Sequence, residues 1–157
     1  MLGASGVGKS RVAIPLAARL GVPLAEADDI VTALRAVHPL RATDHFGIAE
    51  ELMPGFRAVI ADHLEFDAPV VFEGDFLVPE LVAEFGVRGV LIVEPDPGQL
   101  LENFTAREPD AGAQRERAAD SVLIGAELAR RAAIAGMPIV PARPWSTVLD
   151  RVIAALG

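Results

Sequence analysis

The chain has 157 residues, a net charge of −8 and no cysteine. That length suits one domain with a full core, and the lack of cysteine excludes disulfides, thiolate metal sites and a cysteine nucleophile. The acidic balance argues against nucleic acid or an anionic membrane as the main partner, and without a long apolar run or a signal-peptide pattern the expectation is a cytoplasmic protein with no membrane partner.

The first informative stretch is Gly3-Ala4-Ser5-Gly6-Val7-Gly8-Lys9-Ser10, which reads G-x-x-x-x-G-K-[ST]. Of the 14 lysines and arginines, Lys9 is the single lysine. A flexible stem with a compact ammonium is what this loop needs. The glycines let the backbone wrap a phosphate and turn its N–H groups inward. Lys9 is expected to reach the β- and γ-phosphates of a nucleotide such as ATP, and the Ser10 hydroxyl to bind Mg²⁺. A helix from Gly8 to Leu20 adds its positive end. Its apolar positions Val12, Ile14, Leu16, Ala17 and Leu20 suit packing on a sheet, and Pro15 is expected to kink it or end its regular part early. Only Met1 and Leu2 precede the loop, fewer than a strand of about five residues. The expectation is a truncated first strand: either the written start lies several codons late, the preferred reading, or the chain lacks its central strand.

Further along, short apolar runs alternate with helical patterns, the signature of an α/β fold with a mostly parallel sheet sandwiched by helices. Strands are expected at 21–26, 69–73, 88–94 and 137–141. Helices are expected at 28–37, 47–66 (interrupted by Pro54-Gly55), 79–85, 97–107, 114–135 and 146–156, with a capping-box pattern opening the last at Ser146 and Thr147. No repeat or linker divides the chain.

The motif set resembles the small-molecule P-loop kinases, the nucleotide, shikimate and gluconate kinase group, and within it most the 2-phosphoglycerate kinase-like proteins. Residues 3–10 carry it, then Asp28-Asp29-Ile30 with Arg35, then the run from Val71 to Pro79, then Asn103-Phe104-Thr105-Ala106-Arg107 ahead of an Arg-bearing segment. The order of motifs covers nearly the whole chain, and the phosphate loop is the specific part. The resemblance implies a P-loop NTPase fold with a five-stranded parallel sheet, a mobile lid, and Mg²⁺-dependent transfer of the ATP γ-phosphate to a small acceptor. It implies one domain over 1–157, with an acceptor-binding segment at about 30–67 and a lid at about 107–117. The chain departs from the pattern in its first strand and in a short segment between Asp29 and Pro69, where the family builds much of its acceptor site.

Site residues follow, partly from position and partly from the resemblance. Asp28 and Asp29 sit at a strand end, where α/β sheets bind ligands. In the kinase group an acid here touches the acceptor hydroxyl or a Mg²⁺-bound water, and Asp28 matches best; the plain alternative is that one of the pair caps the next helix. Glu73 falls where an acidic Walker B residue holds Mg²⁺ or positions the nucleophile. Asp75, two residues on, faces the acceptor or solvates a turn. Arg107, Arg115 and Arg117 flank a Pro- and Gly-containing loop, and by family position Arg107 comes first as a lid arginine on the transferring phosphoryl group. Arg35, Arg41 and Arg57 fall in the acceptor region; each alone reads first as a surface residue, but arginine holds phosphate or carboxylate bidentately, so an anionic acceptor is natural, and Arg35 leads by its spacing from Asp28. Arg143 borders the adenine by analogy, and Trp145 is either base-adjacent or a hydrophobic plug, with the plug preferred. His38, His45 and His63 have no metal spacing and read as structural. The competing readings are a nucleotide-binding regulator or decayed kinase without transfer, and a motor-type ATPase, for which the chain is short.

Overall fold

A computed structural model of the protein describes residues 1–157. In chain order the elements are α1 (Lys9–Leu20), β1 (Leu24–Glu26), α2 (Ala27–Val37), α3 (His45–Glu65), β2 (Val71–Glu73), α4 (Pro79–Phe85), β3 (Leu91–Val93), α5 (Pro97–Arg107), α6 (Gln114–Ile134), β4 (Ile139–Pro141) and α7 (Val148–Leu156). β1 runs parallel to β2, with Leu24 opposite Val71 and Glu26 opposite Glu73. β3 runs parallel to β4, with Leu91 opposite Ile139. Leu2 forms parallel bridges to both Gly74 and Leu91, so the spatial order is β1, β2, Leu2, β3, β4. The Leu2 N–H donates to Val90 O, and Ile92 N–H donates back to Leu2 O, both at 2.9 Å.

The central strand position is thus held by Leu2, bonded to Val90 and Ile92, and by Met1, whose O accepts the Gly74 N–H at 3.3 Å. Before it, an apolar cavity of about 520 Å³ opens between the lines of β2 and β3, with Met1, Val70, Phe72 and Val90 in its wall. The Met1 α-ammonium donates to Phe72 O at 2.5 Å, and burial pushes its pKa down to about 5.

Helices cover both faces of the sheet, because β2 and β3 bury side chains on either side. One core gathers Val12, Leu16, Ile92, Leu100, Phe104 and Val152. The other gathers Leu52, Phe56, Leu81, Leu91, Leu128 and Leu2. Each of these large side chains contributes roughly 1.5–3 kcal/mol by leaving water.

Several boundaries differ from the sequence expectation, each for a local reason. α1 runs through Pro15 and α3 through Pro54 without interruption. Each proline leaves one carbonyl four residues earlier without its helical donor, and those residues, Arg11 and Glu50, are exposed and open to water. α3 starts at His45 because the Asp44 side chain accepts the Gly47 N–H at 2.9 Å. Neither Asp28 nor Asp29 caps α2; both lie in its first turn, where negative charge favours the helix dipole. The capping box before α7 does not form: Thr147 makes no side-chain cap, and its hydroxyl instead accepts from Arg151 Nε at 3.3 Å. No helix is long and apolar enough to cross a membrane.

Candidate active site

The loop between Leu2 and α1 is pinned from inside and out. Ala4 and Val7 are buried in the core. Gly6 and Gly8 have φ of 79° and 86°, the left-handed region that favours glycine. Both also lie against aromatic rings. A Cβ on Gly6 would sit 2.8 Å from the Phe104 ring, and one on Gly8 would meet the Trp145 ring, with Cζ3 at 2.8 Å. Asn103 adds a hydrogen bond from Nδ2 to Gly6 O at 2.8 Å. The loop is therefore gripped between α5 and the segment after β4.

Lys9 opens α1 with its side chain only 7% exposed. Its Nζ donates to Ala4 O at 3.0 Å and pairs with the Asp75 carboxylate. Ser10 Oγ donates to Glu73 Oε1 at 2.6 Å, and Glu73 is buried at the end of β2. A cavity of about 690 Å³ opens over these groups, with Asp28, Glu73, Asp75 and Arg107 in its wall. Burial first, then the Asp75 charge, raises the Asp28 pKa, while Lys9 opposes the shift. The Ser10–Glu73 pair fits a hard cation such as Mg²⁺, since both donors are oxygen and one is a buried carboxylate.

The structure gathers Ser5, Gly6, Gly8, Lys9, Ser10, Asp28, Glu73, Asp75 and Arg107 around one cavity. Gly3, Ala4 and Val7 are buried within the loop and hold its shape. Asp29 and Arg35 are exposed on α2 and do not line the cavity. Arg41 is exposed, and its backbone N–H is held by Glu51. Arg57 pairs with Glu84 at 2.9 Å, across α3 and α4. None of these three arginines faces the cavity, because each lies on an outward face of its element or in the α2–α3 loop. Arg115 is also exposed and outside it.

Arg143 donates from Nε to the buried Glu94 at 3.1 Å. Its guanidinium lies 5.2 Å from the Trp145 ring centroid, and that of Arg11 lies 4.7 Å from it. Trp145 is half-buried, lines the cavity and lies over Gly8. It forms part of the cavity wall, stacked with Arg11 and Arg143, and is not fully buried as a plug would be.

Sequence reasoning missed groups defined by how the chain folds back on itself. Glu108 receives both Arg107 and Arg117, and Phe104 is the platform under Gly6. His45 stacks on Phe76 at 4.9 Å, and its Nε2 is a buried polar atom without a partner. Burial lowers its pKa against the pull of Asp75. Phe104 stood within a motif and Glu108 at the start of the loop flanked by arginines, but no local signal gave either its partners, and nothing nearby in the chain pointed to the surroundings of His45.

No protein-family model matches the chain, and no curated protein does. Solved structures do. A gluconokinase from Sinorhizobium meliloti 1021 superposes with a TM-score of 0.66 at 18% identity, over 99% of this chain and 88% of its own. A shikimate kinase from Bacteroides thetaiotaomicron gives 0.61 at 16% identity, over 98% and 94%. A shikimate kinase from Acinetobacter baumannii, solved with shikimate, gives 0.55 at 19% identity, over 98% and 90%. The narrower likeness to 2-phosphoglycerate kinase-like proteins has no counterpart among these three. The strand order, the glycine loop running into α1 and these superpositions agree: the chain has the P-loop fold of the small-molecule kinases.

Proposed function

We propose that the protein is an ATP- and Mg²⁺-dependent phosphotransferase acting on a hydroxyl of a small metabolite. The observation that carries this reading is a buried Lys9 inside the glycine loop, beside a Ser10–Glu73 pair at the sheet edge. The loop amides and Lys9 hold the phosphates. Ser10 and Glu73, with Asp28 nearby, hold Mg²⁺, which offsets phosphate charge when bound. Asp28 or Asp75 orients the acceptor hydroxyl, and its raised pKa suits Asp28 to receive the proton. The hydroxyl oxygen bonds to the γ-phosphorus, the bond to the β–γ bridging oxygen breaks, and ADP departs. Arg107 supports the charge on the transferring group. Catalysis is positioning and electrostatics throughout. The segment at about 30–67 receives the acceptor and that at about 107–117 acts as the lid. With Arg35, Arg41 and Arg57 facing away, an anionic acceptor would find its cation in Arg107. Arg143 and Trp145 border the adenine.

Calorimetric titration of Mg·ATP, with Lys9→Ala as control, tests the nucleotide site. ADP release with gluconate, shikimate, 2-phosphoglycerate and other hydroxylated metabolites tests transfer. Lys9-independent binding, or normal turnover by Lys9→Ala, would overturn the assignment. A second reading, nucleotide binding without transfer, draws on the outward-facing arginines; Lys9-dependent binding with no ADP release across the panel favours it.

A further inference from the structure

The two guanidiniums nearest the lid are already occupied by a carboxylate of the same chain. Glu108 Oε1 accepts from Arg107 Nε at 2.8 Å and lies 2.7 Å from its NH2. Glu108 Oε2 accepts from Arg117 NH1 at 2.7 Å, and Oε1 accepts from Arg117 NH2 at 3.3 Å. A forked anion held by two guanidiniums is how arginine binds a phosphoryl group. The Glu108 oxygens therefore stand where phosphoryl oxygens would.

This clamp is tied to the nucleotide site. Arg117 and Arg107 lie 4.5 and 5.5 Å over the Phe104 ring, the same ring that supports Gly6. Arg107 and Glu108 face the cavity shared by Lys9 and Ser10. The Glu108 backbone is fixed at the end of α5: its N–H donates to Phe104 O at 2.8 Å, and its carbonyl accepts from Gln114 Nε2 at 2.7 Å. The side chain can leave the arginines without unfolding the turn. Lys9 is likewise held by Asp75, so two cationic groups suited to a polyphosphate wait on internal anions.

We infer that Glu108 is an internal competitor for polyphosphate: it occupies the Arg107–Arg117 clamp in the free protein and is displaced when the nucleotide's phosphates enter. This rests on the phosphotransferase reading and adds regulation to it. Titration does not open the latch, because the two arginines hold the Glu108 pKa down at about 2. Competition by a stronger anion does. The latch therefore raises the polyphosphate concentration at which the lid arginines engage.

Glu108→Gln tests it, since the residue is 38% exposed in its side chain and the change keeps its shape. Mg·ATP is expected to bind about three- to tenfold tighter, the scale of a partly exposed ion-pair network. That gain is expected to vanish in Glu108→Gln combined with Arg107→Ala or with Arg117→Ala. An independent arm uses no nucleotide: phenylglyoxal labelling read by mass spectrometry. Arg107 and Arg117 should label several-fold faster in Glu108→Gln, with exposed Arg35 and Arg115 unchanged as references. Unchanged labelling of both clamp arginines overturns the latch, as does tighter binding that persists without them. Absence of Mg·ATP binding in both proteins would defeat the phosphotransferase reading instead, and the labelling rates would still decide the latch.

Discussion

Replacing Gly8 by alanine separates two costs that the structure places at one residue. Gly8 has φ 86°, and Gly21, at the other end of α1, has φ 68°. Alanine in that region costs about 1–2 kcal/mol at either site. At Gly21 nothing lies within 4 Å of the new Cβ, so that cost stands alone. At Gly8 the Cβ meets the Trp145 ring, which must shift off Arg11 and Arg143; forced repacking of this kind adds about 1–3 kcal/mol. A domain of this size loses about 2–4 °C of Tm per kcal/mol. Gly21→Ala should therefore lower Tm by roughly 2–8 °C and Gly8→Ala by roughly 4–20 °C. Only Gly8→Ala should weaken Mg·ATP, by at least about tenfold, because it distorts amides that point at phosphate. Thermal unfolding and calorimetry on both variants decide it. If Gly8→Ala matches Gly21→Ala in Tm and binds Mg·ATP as the unaltered protein does, the account of a loop wedged against Trp145 is wrong.

Other expectations concern the middle of the sheet and the charge in the cavity. Leu2→Ala removes a side chain only 1% exposed; a loss of about 2–5 kcal/mol should lower Tm by roughly 4–20 °C, and a drop under about 2 °C would contradict its place in the core. Joining four apolar residues ahead of Met1 should fill the 520 Å³ cavity and raise Tm; no gain in circular-dichroism melts would count against a strand-shaped slot. Asp28→Asn should raise Tm at neutral pH while slowing transfer. The raised Asp28 pKa means that the folded state disfavours the charged form, so the penalty is full above that pKa and fades as pH falls through it. The Tm gain of the variant should shrink towards pH about 4, where the unfolded carboxyl also takes its proton; a pH-independent gain would point to packing.

How much of this was legible in the sequence depended on range. The glycine loop running into α1 was readable because its residues are local: three glycines, one lysine and two serines within eight residues. The placement of Glu73 and Asp75 beside the cavity was readable because clefts in such folds open at the strand ends. Helix continuity through Pro15 and Pro54 was not, since it rests on whether the carbonyls of Arg11 and Glu50 reach water. The position of Arg35 outside the cavity was hidden for a related reason: spacing from Asp28 fixes its helix position, but α2 turns that face outward. His45 owes its surroundings to Phe76 after β2, which no window along the chain brings together. Glu108 lies only one and nine residues from Arg107 and Arg117, but its pairing with both depends on how the turn into α6 folds back. Trp145 was read as filler because its partners, Gly8 and Arg11, lie more than a hundred positions away.

The short crossing at Met1 and Leu2 also has a mechanical meaning. The sheet is two ribbons, β1–β2 and β3–β4, fastened along their seam by Met1, which bonds Phe72 and Gly74, and by Leu2, which bonds Val90 and Ile92. Lys9 to Asp75 and Ser10 to Glu73 are further stitches, tying α1 to the β2 ribbon. The side chains that would grip a nucleotide are thus also sutures of the resting molecule. A ligand that draws Lys9 and Ser10 towards itself takes over their fastening, so the empty protein should be the more pliant one, with amide exchange along β2 and the start of α1 slowing once nucleotide closes the seam.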